Sequence, residues 1–266
     1  MLSDVQLAVA AAAAGALVVR ARYGAELARI EKSSTDFATE VDLEPERVIK
    51  ARLRAERPAD AFVGEESGRD GPASAGRTWL VDPLCGTLNY AARTPLAAVN
   101  VGLMSEGRVV VAASADPFAG EVFWTDGDQA FVRRHGHDDP LRPTARCRLV
   151  DLNLDPPYPN GERFMAVRLL SVAEFTSSFR PRVLSTTLAL AWVAAGRRGG
   201  YVSDGRVQDS VHFASGMALC RAAGCRVTGL RGQPLELGPS GLVVAADDET
   251  HATLLAIIAE RCWRRE

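Results

Sequence analysis

Three apolar runs in quick succession constrain the fold most: AAVNVGLM from Ala97, RVVVAASAD from Arg108 and EVFWTD from Glu121. Gly, Asp and Pro stand between them, the punctuation of hairpins, so they are predicted as antiparallel strands. A sheet of this kind must bury a face against other elements. The sequence offers candidates for the cover. Residues 4 to 31 are predicted as one helix, and Asp42 to Arg57 as a second that Pro58 ends.

Before the hairpins lie two further apolar segments, AFVG at Ala61 to Gly64 and TWLVD ending at Asp82, with a Gly/Ala/Ser loop from Gly68 to Gly76 between them. Residues 133 to 162 are rich in Arg, His, Asp and Pro and lack periodicity, so surface connection is expected there. A second α/β portion follows: a helix near Thr187 to Ala195, a strand near Tyr201, a helix from Val211 to Ala223, strands in CRVTGL and GLVVAA, and a last helix from His251 to Arg261. Elements that alternate in type argue for an α+β or layered α/β chain rather than a bundle or sandwich. The 266 residues are expected to form a single domain, with an N-terminal α+β half at about 1–145 and a C-terminal α/β half at about 146–266.

The near-neutral charge, 31 basic against 33 acidic residues, gives no footprint for a nucleic-acid polymer or an acidic membrane surface. The apolar run from Val5 to Val19 falls short of a bilayer span by about five residues and lacks a basic leader, so it is expected to pack as a core helix. Five cysteines without a CxxC pair point to reduced thiols and a cytoplasmic setting. The four histidines share no ligand spacing with those cysteines, which argues against zinc.

Several carboxylates stand where surface charge seldom stands. Glu65 and Glu66 follow AFVG, Asp82 follows TWLV, and Asp209 precedes an apolar helix. Taken singly, Asp42 and Asp209 read as helix caps. Taken together, carboxylates at strand ends suggest a magnesium site, because Mg²⁺ takes hard oxygen ligands. Gly86 and Thr87 then supply N–H groups at a helix start for a phosphate.

These segments resemble the inositol monophosphatase family over nearly the whole chain. The family's Lys-…-Asp-x-x-Thr-x-x-Asp segment matches Lys32, Asp36, Thr39 and Asp42, and its Gly-Glu-Glu matches Gly64, Glu65 and Glu66. Its Asp-Pro-(Ile/Leu)-Asp-Gly-Thr-x-Asn matches Asp82, Pro83, Leu84, Gly86, Thr87 and Asn89, with Cys85 at the second aspartate. Its Trp-Asp-x-x-Ala-Gly is matched to Asp209, Ser215 and Gly216, with Gln208 for the tryptophan.

The resemblance implies a five-layer αβαβα sandwich, a homodimer and a Mg²⁺-dependent phosphomonoesterase, with Mn²⁺ as a softer substitute. It implies that Glu65, Asp82 and the Leu84 carbonyl hold one ion. Asp82, Cys85 and Asp209 complete a weakened second site. Thr87, oriented by Asp42, positions the attacking water. The substrate is a small phosphorylated metabolite: Leu184, Ser185, Thr186 and Thr187 replace the family's small-residue loop, which argues for another sugar, cyclitol or nucleoside phosphate. Ser185 and Thr186 are the expected substrate contacts there. The alternative is a family member that binds a phosphorylated ligand or partner without hydrolysing it.

Overall fold

The computed structural model describes residues 1–25, 29–31, 37–72, 74–154, 166–205, 207, 210–235 and 241–261. They fall into two compact units. The first holds Met1–Pro140, Thr186–Leu188 and Val211–Leu219; the second holds Leu141–Ser185, Ala189–Ser210 and Cys220–Glu266. Two short returns of the chain, Thr186–Leu188 and Val211–Leu219, thus belong to the first unit.

In chain order the first unit begins α1 (Asp4–Ala21), β1 (Arg29–Glu31), β2 (Phe37–Thr39), α2 (Glu40–Glu56), β3 (Ala61–Gly64), β4 (Gly68–Asp70), β5 (Arg77–Cys85) and α3 (Thr87–Ala91). It continues with β6 (Ala98–Ser105), β7 (Arg108–Asp116), β8 (Glu121–Thr125), β9 (Ala130–Arg134) and β10 (His137–Pro140). Eight strands form one sheet in the order β10-β9-β8-β7-β6-β5-β3-β4, and β1 pairs with β2 apart from it. All pairs in the large sheet are antiparallel except β3 with β5.

α1 and α2 pack side by side against β5, β6 and β7. Leu7, Ala8, Ala11, Ala12 and Val19 of α1 are wholly buried with Ile49, Val99 and Val101. Ser3 and Gln6 cap the start of α1 reciprocally. By length and composition α1 could cross a membrane, yet its apolar stripe is spent on this sheet. The helix stops at Ala21, ten residues before the expected end at 31. Tyr23 packs edge-on to Tyr90 and Phe118, and Gly24 turns the chain at φ +83°.

The second unit runs β11 (Leu149–Asn153), a short 3₁₀ helix (Ala166–Ser171), α4 (Ala173–Ser178), β12 (Arg180–Val183), α5 (Leu188–Ala194), β13 (Gly200–Ser203), α6 (Val211–Ala222), β14 (Arg226–Thr228), β15 (Leu242–Ala245) and α7 (Asp248–Arg261). The first residue of α5 and the first nine of α6 are counted with the first unit. Its five-stranded sheet has the order β12-β11-β13-β15-β14, parallel through β12-β11-β13 and antiparallel after. Phe175, Leu254, Ile257 and Ile258 bury against Val150, Leu152 and Val243. The stretch expected as surface connection, 133 to 162, carries the last two residues of β9 and all of β10 and β11 instead. Both units are layered α/β, as the alternation of elements required.

Candidate active site

The parallel register of β3 on β5 sets the site. Gly64 lies opposite Val81, so the next residues, Glu65 just past the end of β3 and Asp82 within β5, emerge side by side. The Glu65 N–H donates to the Val81 carbonyl at 3.0 Å. Behind this turn the buried Glu46 carboxylate of α2 accepts from the Glu66 and Ser67 N–H groups, each at 2.9 Å. Glu46 therefore shapes the turn that presents Glu65, a role that no sequence motif marks.

Pairing of β5 with β6 slips by one residue between Asp82, opposite Asn100, and Cys85, opposite Ala98. Pro83 has no N–H to give the ladder, and a bulge of this kind re-aims the strand. Asp82 is wholly buried and Oδ1 accepts the Leu84 N–H at 3.2 Å. Gly86 then adopts φ +108°, ψ +38°, the left-handed region, and caps α3 at Thr87. The Thr87 hydroxyl lies 3.1 Å from Asp42 Oδ1 and 3.1 Å from the Leu84 carbonyl. Asp42 is wholly buried, while Thr87 is half-exposed.

α6 brings a further group to Asp82. His212 Nδ1 sits 2.8 Å from Asp82 Oδ2 and 3.9 Å from Glu65 Oε2. The ligand atoms of Asp82, Cys85 and His212 all lie within 4.8 Å of one another. Burial opposes the imidazolium, but the charge of Asp82, hydrogen bonds to Asp82 and Cys85, and the charge of Glu65 raise His212 well above its ordinary range. Asp82 is lowered in turn: burial works against it, and the His212 charge and the hydrogen bonds of His212, Glu65 and Cys85 outweigh that. Burial, then the charge of Asp82, push the Cys85 thiol up to about 11.

Thr187 holds the sulfur. Its N–H and its hydroxyl reach Cys85 Sγ at 3.3 and 3.0 Å. Asn100 Nδ2 donates to the Thr187 oxygen at 2.9 Å, and Ser114 donates to Asn100 Oδ1 at 2.6 Å. Thr186 is buried, donates to the Cys85 carbonyl at 3.2 Å and accepts the Leu188 N–H at 3.2 Å. With one hydrogen bond donated and one accepted, the Thr186 hydroxyl braces the turn. Ser185 belongs to the second unit. Asp209, with Gln208, Lys32 and Asp36, lies outside the described residues.

A sequence model of the inositol monophosphatase family matches residues 2–263. The chain belongs to the inositol monophosphatase family. That is a family of metal-dependent phosphoric monoester hydrolases. The chain is 35% identical to the inositol-1-monophosphatase ImpA of Mycolicibacterium smegmatis over 239 residues, 86% of this chain and 82% of that protein. It is 30% identical to the inositol-1-monophosphatase of Caulobacter vibrioides over 236 residues, 86% and 90% of the two chains. Among solved structures, the extragenic suppressor protein suhB from Bartonella henselae superposes with a TM-score of 0.84 at 25% identity, covering 96% of this chain and 97% of that one. Mycobacterium tuberculosis SuhB gives 0.72 at 26% identity over 95% of each. The layered fold of the inositol monophosphatases is thereby this chain's fold.

The family's own spacing also identifies the residue that was missed. In Trp-Asp-x-x-Ala-Gly the small pair follows the aspartate by three and four positions, and Ser215 and Gly216 stand so after His212, not after Asp209. His212 is thus the group in the position assigned to Asp209, and Val211 replaces the tryptophan. The want of ligand spacing is therefore no argument against zinc. Local spacing says nothing about a histidine 130 residues from Asp82 that the fold returns to it.

Proposed function

We propose that this chain hydrolyses a small sugar, cyclitol or nucleoside phosphate as a metal-dependent phosphomonoesterase. The observation that carries this reading is the hydrogen bond between Thr87 and the buried Asp42, one turn past Asp82. As a water oxygen bonds to phosphorus and the ester P–O bond breaks, the water's proton passes to the Thr87 oxygen while the Thr87 proton passes to Asp42, and the departing alkoxide takes a proton from solvent. Asp42 is a suitable final acceptor because it is fixed and wholly buried. The N–H groups of Gly86 and Thr87 are assigned to the phosphate oxygens. Glu65, Asp82 and the Leu84 carbonyl are hard oxygen donors and fit Mg²⁺. A cation bound there would acidify the water and draw charge from the phosphate. The set Asp82, Cys85 and His212, with a thiol and an imidazole, does not fit a second Mg²⁺. The same reading carries a cytoplasmic setting and a homodimer, the latter testable by light scattering.

The test is phosphate release across sugar, cyclitol and nucleoside monophosphates with Mg²⁺ or Mn²⁺, for the native chain and for Cys85→Asp/His212→Asp. Release by the native chain from at least one substrate is expected. Failure of both proteins on every substrate would overturn the reading. The hydrogen bond between Asp82 and His212, where the family keeps two acids, favours a second reading: binding of a phosphorylated ligand without hydrolysis. Release by the double variant alone would establish that second reading.

A further inference from the structure

The donor atoms beside Asp82 disagree with the metal usual to such a site. Mg²⁺ is selected by carboxylate and water oxygens at near-octahedral positions. Here a thiol, an imidazole and a single shared carboxylate converge within 4.8 Å. One nitrogen, one sulfur and one oxygen donor with an open fourth position is a zinc-type set, with bonds of about 2.0–2.3 Å. Glu65 Oε2 lies 3.9 Å from His212 Nδ1.

The surroundings are built for a sulfur ligand. Both donors of Thr187 aim at Cys85 Sγ, and the sequence Ser114 to Asn100 to Thr187 to sulfur hands hydrogen bonds in one direction only. Such outer partners orient a ligand and stabilise its charged form. A carboxylate would also accept these bonds, but this chain places a thiolate source there. Packing places the imidazole as deliberately. Gly102 on β6 lets α6 approach closely: a Cβ at Gly102 would lie 3.2 Å from Ser215 Oγ, one turn beyond His212. Ser215 is itself wholly buried, with its hydroxyl unpartnered among the described residues.

We propose that Asp82, Cys85 and His212 form a binding site for a borderline divalent cation of the zinc type, in preference to magnesium. This metal assignment concerns the site of the proposed hydrolase but stands on donor geometry alone.

The test uses the full chain, stripped with a chelator and titrated with Co²⁺ as a spectroscopic stand-in for Zn²⁺. A sulfur-to-cobalt charge-transfer band in the near ultraviolet is expected, saturating at one ion per chain. Stoichiometric Zn²⁺ should abolish it, and millimolar Mg²⁺ should leave it intact. Cys85→Ser should remove the band and weaken Zn²⁺ binding at least about 100-fold, since even outer partners of a metal ligand are worth 10- to 100-fold. The other cysteines remain in that variant as the internal control, and circular dichroism checks that it folds. No band in the native chain, a band that survives Cys85→Ser, or displacement by Mg²⁺ would each overturn the proposal. The native-chain titration needs no variant. Phosphate release measured on the same samples separates the two readings. A band without release refutes only the hydrolase, and release without a band refutes only the zinc-type site.

Discussion

Strand β5 has a buried acid near each end, Asp60 beside Arg77 and Asp82 three residues before Cys85, and their settings are opposites. Near its start, Asp60 accepts two hydrogen bonds from Arg77 Nε at 3.0 and 3.2 Å, one from Arg77 Nη2 at 3.1 Å, and the Trp79 indole N–H at 2.9 Å. Arg77 also reaches Asp4 at 3.0 Å, and Arg57 closes the group onto Asp4 at 2.9 Å. Permanent cations meet each acid there: the hydrogen bond and charge of Arg77, helped by Arg57, outweigh burial and hold Asp4 below its usual range. At the far end Asp82 meets an imidazole, a thiol, an amide and a second acid. Burial of a carboxylate is common to both and so marks neither as functional. What distinguishes them is whether the partners are fixed charges that complete the acid or ligands that another cation could recruit.

Substitutions at the two ends should therefore separate activity from stability. Thr87→Ala should lower phosphate release by about 100- to 10,000-fold, the range of a lost proton-transfer group, with little change in melting temperature. Equal activity would remove Thr87 from the chemistry. Asp60→Ala should do the reverse: a loss of about 1–3 kcal/mol by denaturant unfolding, because the buried Trp79 indole N–H loses its acceptor. Activity per folded molecule should be unchanged, and a specific loss of activity would blur the contrast between the ends.

The imidazole offers a sharper check of sign. In Asp82→Asn the main charge holding His212 protonated is gone, and burial, which disfavours imidazolium, becomes the stronger influence. His212 should then titrate below its ordinary value of about 6.5, read by NMR, instead of well above it. A pKa still above that value would mean that Glu65 dominates. Thr187→Val, which deletes one donor to Cys85 Sγ, should weaken cobalt or zinc binding about tenfold. Gly102→Ala should do less, because a shift of a few tenths of an ångström can relieve the Cβ contact with Ser215.

The legibility of the sequence follows the same divide between local and distant. β6, β7 and β8 are readable because hairpins make neighbours in sequence neighbours in space. β10 is exposed along its whole length, so no apolar alternation marks it, and it exists because β9 offers an edge. The turn from Asp82 to Thr87 is readable because its metal, phosphate and proton-relay candidates lie within six residues. Glu46 and His212 are not. One acts through backbone N–H groups 20 and 21 residues away, the other across 130, and no local pattern encodes either contact. Cys85 read alone looks like a lost ligand; with His212 beside it, the pair reads as a changed donor set.

X-ray absorption at the zinc edge of the zinc-loaded chain tests the contrast between the ends of β5 most directly. A shell with one sulfur at about 2.3 Å and nitrogen or oxygen neighbours at about 2.0 Å is expected, with the sulfur lost in Cys85→Ser. A shell of nitrogen and oxygen alone in the native chain would contradict a cation held by Cys85.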